Sequence, residues 1–434
     1  AGRVRAGAVY RLYSQAQFAS LPWQCTPEMQ RTDVVGICLQ TVALGRNPKT
    51  FLSSAPDPPA EETVEAALTE LMAIDAIKGP SPVQMLPLGR LLSALPLHPL
   101  QGRALVLSTL FGAPRMMAAM MAVSGRHTVF KRPGKLSESG GLRMTKKKMK
   151  EWRRWYCDWS DVVADAKALA DFEGQVRSLG LELASEWARR NFMDPFVLSN
   201  RSRVKYQLLR EGRDAGVIQA KSWDWADEDS GRSASVGGIF ESGDPSYTSG
   251  LSMSDWLAEM SEQQEEVEVV PDEVLGALLC AATPPNLAIA DGSSHERCIT
   301  SGGKVALLNF ESVIELAKKG SEKQRRWSGS DRWLSYGSVR MSGGQAIVSS
   351  TSLLTDWQVA LFGGLSLEQI PEPVLDGWVQ LATSDPRQKE ILRLASILRQ
   401  EVSDGVTWAA LAAFEDDIAK AARHRSAALC RILG

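Results

Sequence analysis

Cysteine is scarce and scattered in this chain. Its six residues, Cys25, Cys38, Cys157, Cys280, Cys298 and Cys430, form no CxxC pair, and His295-x-x-Cys298 alone does not make up a set of four ligands. That excludes a zinc framework and argues for unpaired thiols in a reducing, intracellular setting, so no metal site is expected. Long apolar runs are also missing. The longest candidate, Ala104 to Val123, is interrupted by Gly112, Pro114 and Arg115 and reads as two buried helix pieces, not a membrane span. Charge of one sign is absent as well: 49 basic against 51 acidic residues give a net charge of −2. Any nucleic-acid surface must therefore be local. Neither GxxxxGK[ST] nor Asp-Glu-x-His occurs, so the chain lacks a phosphate-cradling loop and an acid pair for Mg2+. His98 has no Ser, Cys or second His nearby, which leaves it a capping or packing role.

What is present begins in the first thirteen residues. Gly2 and Gly7 punctuate a loop, and Val9, Tyr10, Leu12 and Tyr13 suit a strand. A chain that opens inside such a unit is expected to be a piece of a longer protein. Helical patterns follow. Val34, Ile37, Cys38 and Val42 recur at helical spacing before Gly45. Asp57-Pro58-Pro59-Ala60-Glu61-Glu62 reads as a helix start, and Val64, Ala67, Leu68, Leu71 and Met72 form the stripe after it. Further helices are expected at about 163–179, 183–192 and 198–212. At 434 residues, several domains are expected.

Three stretches differ in composition. Lys131, Arg132, Lys135, Arg143, Lys146, Lys147, Lys148, Lys150, Arg153 and Arg154 are interleaved with Trp152, Trp155, Tyr156 and Trp159. Such a run can neutralise phosphates and stack bases, or it can be a solvated loop and a helix whose aromatics pack inward. The division favoured is inward aromatics and phosphate-facing lysines. From Trp223 to Pro271 the chain is acidic and rich in Ser and Gly, with Arg232 as the lone cation. This reads as a partly disordered insertion, with a short helix over Ser252 to Leu257. After Pro271 come short expected strands at Lys304–Leu308, Trp333–Tyr336, Ala346–Val348 and Trp357–Phe362, with Gly pairs at turns. These suggest a small barrel.

In order along the chain, these residues resemble the C-terminal half of DEAH/RHA superfamily 2 RNA helicases. Ala1-Gly2-Arg3 matches the end of the family's motif VI, followed by Gly7 and the Tyr10-Arg11-Leu12-Tyr13 run. Thr26-Pro27-Glu28, Asp57 to Thr63, Leu88-Gly89-Arg90 and Pro96-Leu97-His98-Pro99 resemble its winged helix. Ser160-Asp161, Trp187 to Phe192 and Val204 to Leu209 resemble its ratchet domain, with Val162 for the family's His and Lys205 for its Arg. Pro285-Asn286, Lys304-Val305, Asn309 to Val313, Trp333 to Tyr336 and Leu361-Phe362-Gly363-Gly364 resemble its OB-fold, and the Phe-Gly-Gly ending is similar to the RNA helicase A-like branch. Glu311 stands where the family has a small polar residue, which weighs against an RNA contact at that loop.

The resemblance implies a multidomain, mostly α protein with a small β-barrel. Its expected parts are the end of a second RecA-like domain (1–25), a winged helix (26–94), a helical ratchet domain (95–221), the acidic insertion (222–270), an OB-fold (271–364) and a C-terminal helical extension (365–434). It implies that Gly2 and Arg3 belong to a nucleotide site, with Arg3 reaching the γ-phosphate once the missing RecA domains are supplied. ATP and Mg2+ would serve the parent protein, and neither would be bound by this chain alone. Single-stranded RNA in a channel is the implied partner, met by Lys131, Arg132, Lys146, Lys147, Lys205, Lys304 and Arg340. An activator protein on the OB-fold is a second implied partner, and no membrane is involved. The rival reading is a non-catalytic RNA-binding or docking module. A winged-helix transcription factor ranks last, for want of a strongly basic recognition helix after Asp57.

Overall fold

The computed structural model describes residues 7–79, 82–124, 128–130, 141–218, 252–262, 270–283, 286–291, 296–301, 303–314, 316, 333–364, 367–369, 373–375, 379–381 and 386–412. These residues are mostly helical and carry one closed β-barrel. The chain enters through α1 (Gln15–Ser20), capped by Ser14 and Gln17 in a reciprocal capping box. The strand expected at Val9–Tyr13 is not formed. These residues are exposed, and no described strand offers the backbone partner a β-run needs.

A first helical layer comprises α2 (Glu28–Arg31), α3 (Val35–Ala43), α4 (Pro48–Ser53), α5 (Glu61–Ala73) and α6 (Pro87–Ala94), with the two-stranded pair β1 (Ile77–Lys78) and β2 (Gln84–Met85) between α5 and α6. Cys38 and Leu39 of α3, Leu68 and Leu71 of α5, and Leu88, Leu91 and Leu92 of α6 fill its core. Gly89 lets α6 approach the turn before β1. A Cβ there would lie 2.1 Å from the Ala76 carbonyl oxygen, which only glycine avoids.

The second layer is a bundle of α7 (Pro99–Leu110), α8 (Pro114–Val123), α9 (Gly141–Tyr156), α10 (Asp161–Arg190) and α11 (Pro195–Asp214). Helices expected separately at 163–179 and 183–192 form the single α10, kinked at Gly180, whose φ of 79° lies in the left-handed region. The α7 and α8 faces are buried nearly all round, because α10, α11, and α13 (Asp272–Ala282) cover them.

The barrel consists of β3 (Leu287–Ala290), β4 (Arg297–Thr300), β5 (Val305–Leu308), β6 (Trp333–Ser342) and β7 (Gln345–Leu354), in the closed order β3-β4-β5-β7-β6. Only β5 and β7 pair in parallel. β3 and β4, at four residues each, are too short to announce themselves by alternation. The strand expected at Trp357–Phe362 is instead the helix α14 (Asp356–Phe362). The reason is local: Thr355 and Gln358 form a capping box, and Asp356 sits in the first turn at the positive end of the dipole.

Beyond the barrel, β8 (Leu367–Gln369), β9 (Pro373–Leu375) and β10 (Val379–Gln380) make a small antiparallel sheet. They are followed by α15 (Pro386–Arg393) and α16 (Ala395–Ala412). Arg399 of α16 donates to the carbonyls of Ala360, Gly363 and Gly364 at 3.0, 2.7 and 3.2 Å, satisfying the free end of α14. Of the C-terminal helical extension expected at 365–434, α15 and α16 are helical, and residues beyond 412 lie outside the described residues.

One part of the acidic segment is packed. The helix α12 (Met253–Glu262) forms where a short helix was expected, and it buries Trp256 and Met260 fully against α10 and α11. Trp256 Nε1 donates to Ser202 Oγ at 2.9 Å. A helix this short is marginal without tertiary contacts. Replacing Trp256 by Ala should therefore free α12 while the bundle stays folded: α12 amides lose protection in hydrogen exchange and α10 and α11 amides keep theirs. Unchanged α12 protection would contradict this anchoring role.

Candidate nucleic-acid interface

Two motifs far apart in sequence meet where the bundle joins the barrel. Ser160 caps α10 by accepting from the Val163 N–H, as a Ser before an apolar helical run should. Its hydroxyl also bonds that of Ser352 at 2.7 Å, and the two residues form a β-bridge. Asp161 points into the barrel. Its Oδ1 accepts from the Val313 N–H at 2.8 Å, and its Oδ2 accepts from the Thr351 N–H and hydroxyl at 2.9 and 2.7 Å. The Ser160-Asp161 pair of the helical region thus grips the Asn309–Val313 loop and β7.

Arg153, from the last turn of α9, completes the junction. Its Nε donates to Asp165 Oδ1 at 2.8 Å, its Nη1 to the Glu311 carbonyl at 2.9 Å, and its Nη2 to the Asp161 carbonyl at 3.2 Å. Nη1 also lies 3.3 Å from Asp161 Oδ1. All three charged side chains are buried. Burial opposes the charge on Arg153, but Asp165 and Asp161 outweigh it and hold the guanidinium protonated. Burial pushes the Asp165 carboxyl above the usual range, against the pull of Arg153. Glu311 takes part here through its backbone carbonyl, so its departure from the family's small polar residue leaves this contact intact. A polar cleft opens beside the junction, lined by Thr128, Asp165, Asn309, Glu311, Ser349 and Ser350. Ser350 holds a φ of 55°, in the left-handed region that β-strand residues rarely adopt. The cleft offers hydroxyls, amides and carboxylates but no nucleophile paired with a base.

The expected site residues fall in different places. Gly2, Arg3, Lys131 and Arg132 lie outside the described residues. Lys146 and Lys147 lie on α9. Lys304 and Arg340 are exposed, the first at the turn into β5 and the second on β6. Lys205 is buried in the bundle: its Nζ lies 2.6 Å from Glu173 Oε2, whose other oxygen accepts from Ser202 at 2.6 Å beneath Trp256. Among the described side chains, Lys205 is thus withdrawn into the bundle, while Lys304 and Arg340 stand exposed on the barrel. The aromatics of the basic run divide: Tyr156 and Trp159 are buried as expected, whereas Trp155 is exposed.

Asp165, and the junction that Arg153 and Asp161 form with it, escaped the sequence reading. Arg153 looked like its basic neighbours. The available signal was the pair of carboxylates one turn apart in the otherwise apolar Val162-Val163-Ala164-Ala166 stretch, since a buried acid needs a partner. His98 takes the capping role expected of it: its Nδ1 accepts from the Leu100 N–H at the start of α7, and its Nε2 meets Asp33 at 2.7 Å. Among the described residues no cluster of ligands could hold a metal, and no helix is long and apolar enough to cross a membrane.

Comparison with known proteins gives these motifs their context. ATP-dependent RNA helicase DHX29 of Homo sapiens is 26% identical over 391 residues, which is 87% of this chain and 24% of the relative. The corresponding Xenopus laevis helicase is 30% identical over 50% of this chain, and DExH6 of Arabidopsis thaliana is 30% identical over 50%. The chain is a homologue of DExH/DEAH-box ATP-dependent RNA helicases. No family model matches it. The helicase homologue spans only part of those relatives, 15% of the Xenopus laevis protein and 16% of the Arabidopsis thaliana one.

Two measurements probe this region. Arg153→Ala strands two buried carboxylates and should cost about 3–5 kcal/mol in chemical denaturation. Arg153→Lys should restore little, because an ammonium cannot span Asp165, the Asp161 carbonyl and Glu311 together. In alkylation, Cys25 is exposed and should react first among the described cysteines. Cys38 and Cys298, pushed up to about 11 by burial, and Cys157 and Cys280, pushed up to about 12 by burial, should react only on unfolding. Early labelling of Cys280 in the native protein would contradict the packing of α13.

Proposed function

We propose that these residues form the C-terminal accessory region of an ATP-dependent DEAH/RHA-type RNA helicase, lining an RNA channel and coupling RecA-domain motion to RNA unwinding or ribonucleoprotein remodelling. The observation that carries this reading is the Asp161 junction, in which two motifs of that family hold the helical bundle and the barrel as one piece. A part that transmits force to RNA needs such a rigid seam. In this reading, 26–94 is the winged helix, 95–221 the ratchet domain and 271–364 the OB-fold. The closed five-stranded barrel with a single parallel pairing supports the last assignment. Arg3, following Gly2, is the γ-phosphate contact of a nucleotide site whose phosphate-binding loop and Mg2+-binding acids come from RecA domains. A rigid guanidinium suits charge on a transferring phosphoryl group. Lys131, Arg132, Lys146, Lys147, Lys304 and Arg340 supply phosphate contacts. Lys205 serves RNA indirectly, by fixing α11 against α10. The barrel is also the candidate seat of an activator protein.

The test is direct. The 434-residue chain should bind single-stranded RNA with an affinity that falls with salt, the logarithmic slope being about −0.7 for each phosphate contacted. Alone, it should release no phosphate from ATP with or without RNA. Salt-insensitive affinity would overturn the phosphate contacts, and RNA-stimulated hydrolysis by this chain would overturn the accessory role.

A further inference from the structure

The last turns of α9 hold a feature that the channel reading does not use. Trp155 keeps 70% of its surface exposed, although tryptophan is among the residues buried most on average. The ring is nevertheless held. Trp152 stacks on it with centroids 5.6 Å apart and planes 11° from parallel, and Tyr156 meets it edge-on at 5.1 Å. The indole is thus backed by a second indole while most of its surface is left to solvent.

The turn that presents this ring is fixed. Arg153 lies between the two tryptophans in sequence but points the other way, into the Asp165, Asp161 and Glu311 cluster. An aromatic surface held in place before binding loses little freedom on binding. The surroundings are cationic. Lys148, Trp152 and Trp155 lie at i, i+4 and i+7, which puts them on one helix face, and Lys148 is exposed. Lys146, Lys147, Lys150 and Arg154 share the helix, with Glu151 as its only acid.

We propose that Trp155, backed by Trp152, is a base-stacking platform for single-stranded RNA, with Lys148 meeting the adjoining phosphate. This deepens the proposed RNA-binding role and rests on it. The pairing of a stacked, exposed indole with a row of cations fits a strand that offers both π-faces and phosphates. A protein partner seated on an exposed tryptophan has no need of the cations.

The experiment uses the full chain and fluorescently labelled single-stranded RNA oligonucleotides, one ordinary and one abasic in its central positions. Trp155→Ala should weaken binding to the ordinary strand by between about 5-fold and 150-fold, the range for one stacked base. Trp155→Phe should recover most of the loss. On the abasic strand, wild type and Trp155→Ala should bind alike. Trp155→Ala should leave the salt slope unchanged, whereas Lys148→Ala should reduce it by about 0.7. Because the ring is exposed, the Ala variant should unfold at the wild-type temperature. If Trp155→Ala binds the ordinary strand as tightly as wild type while Lys148→Ala weakens it, the stacking platform is wrong and the RNA-binding role stands; a ring that serves a protein partner gives that result. If wild type binds neither strand, the RNA-binding role fails and the platform with it.

Discussion

The carboxylate of Asp161 is the constraint on which the assembly of this chain depends. It sits at the N-terminus of α10, and both of its oxygens are spent on the barrel, on the backbone of Val313 and Thr351. A buried carboxylate is costly to desolvate, and three hydrogen bonds to barrel donors together with Arg153 offset that cost. The geometry is satisfied only while bundle and barrel stay in register. Removing the acid would leave the Val313 and Thr351 backbone amides without this partner at the seam and take one of two carboxylates from Arg153, so the cost of disruption far exceeds the net worth of any one bond. The charge therefore specifies an arrangement more than it adds stability.

The same logic explains how much of the molecule was legible. Ser160-Asp161 and Asn309–Val313 were each readable as family-like motifs, but nothing in their separate spacings says that one grips the other. Helices announced themselves through caps and periodicity: the α5 start, the α10 and α11 spans and the short α12 all fall close to their expected places. The misreading at Trp357–Phe362 arose because a short run of Trp, Val, Leu and Phe has no decisive period. The capping pair Thr355 and Gln358, which settles it, was in plain view. The run at Tyr10–Tyr13 failed for the opposite reason. Its residues suit a strand, but strand propensity describes fitness for a sheet and does not supply one.

Lys205 and Trp256 show what composition conceals. Within an acidic, Ser-rich and Gly-rich segment, a single tryptophan finds a slot between α10 and α11 and buries completely. It also closes over a chain of polar groups, Trp256 to Ser202 to Glu173 to Lys205. Each member satisfies the next, as buried networks must. A lysine on a helix thus reads as surface in sequence yet serves as an internal cation, because its partner lies on another helix, at position 173.

Counting cations therefore overstates the surface available to a polyanion. Arg153 and Lys205 are committed to buried carboxylates, and Arg399 caps α14. Arg103 is half-buried near Arg399, where burial and that neighbour push its guanidinium down to about 10. Arg153, Lys205 and Arg399 are thus already engaged within the fold. The cations that remain solvent-facing among the described residues include Lys148, Lys304 and Arg340. With a net charge of −2, long-range attraction does little to steer a polyanion to such a chain. Affinity must then come from short-range pairing at particular places, and a cation gains most where a second, uncharged contact lies within reach of the same strand. On α9 that second contact is an indole stacked on Trp152, two residues along the helix from the arginine that locks the seam, so the constraint that joins bundle to barrel also fixes the turn that carries the ring.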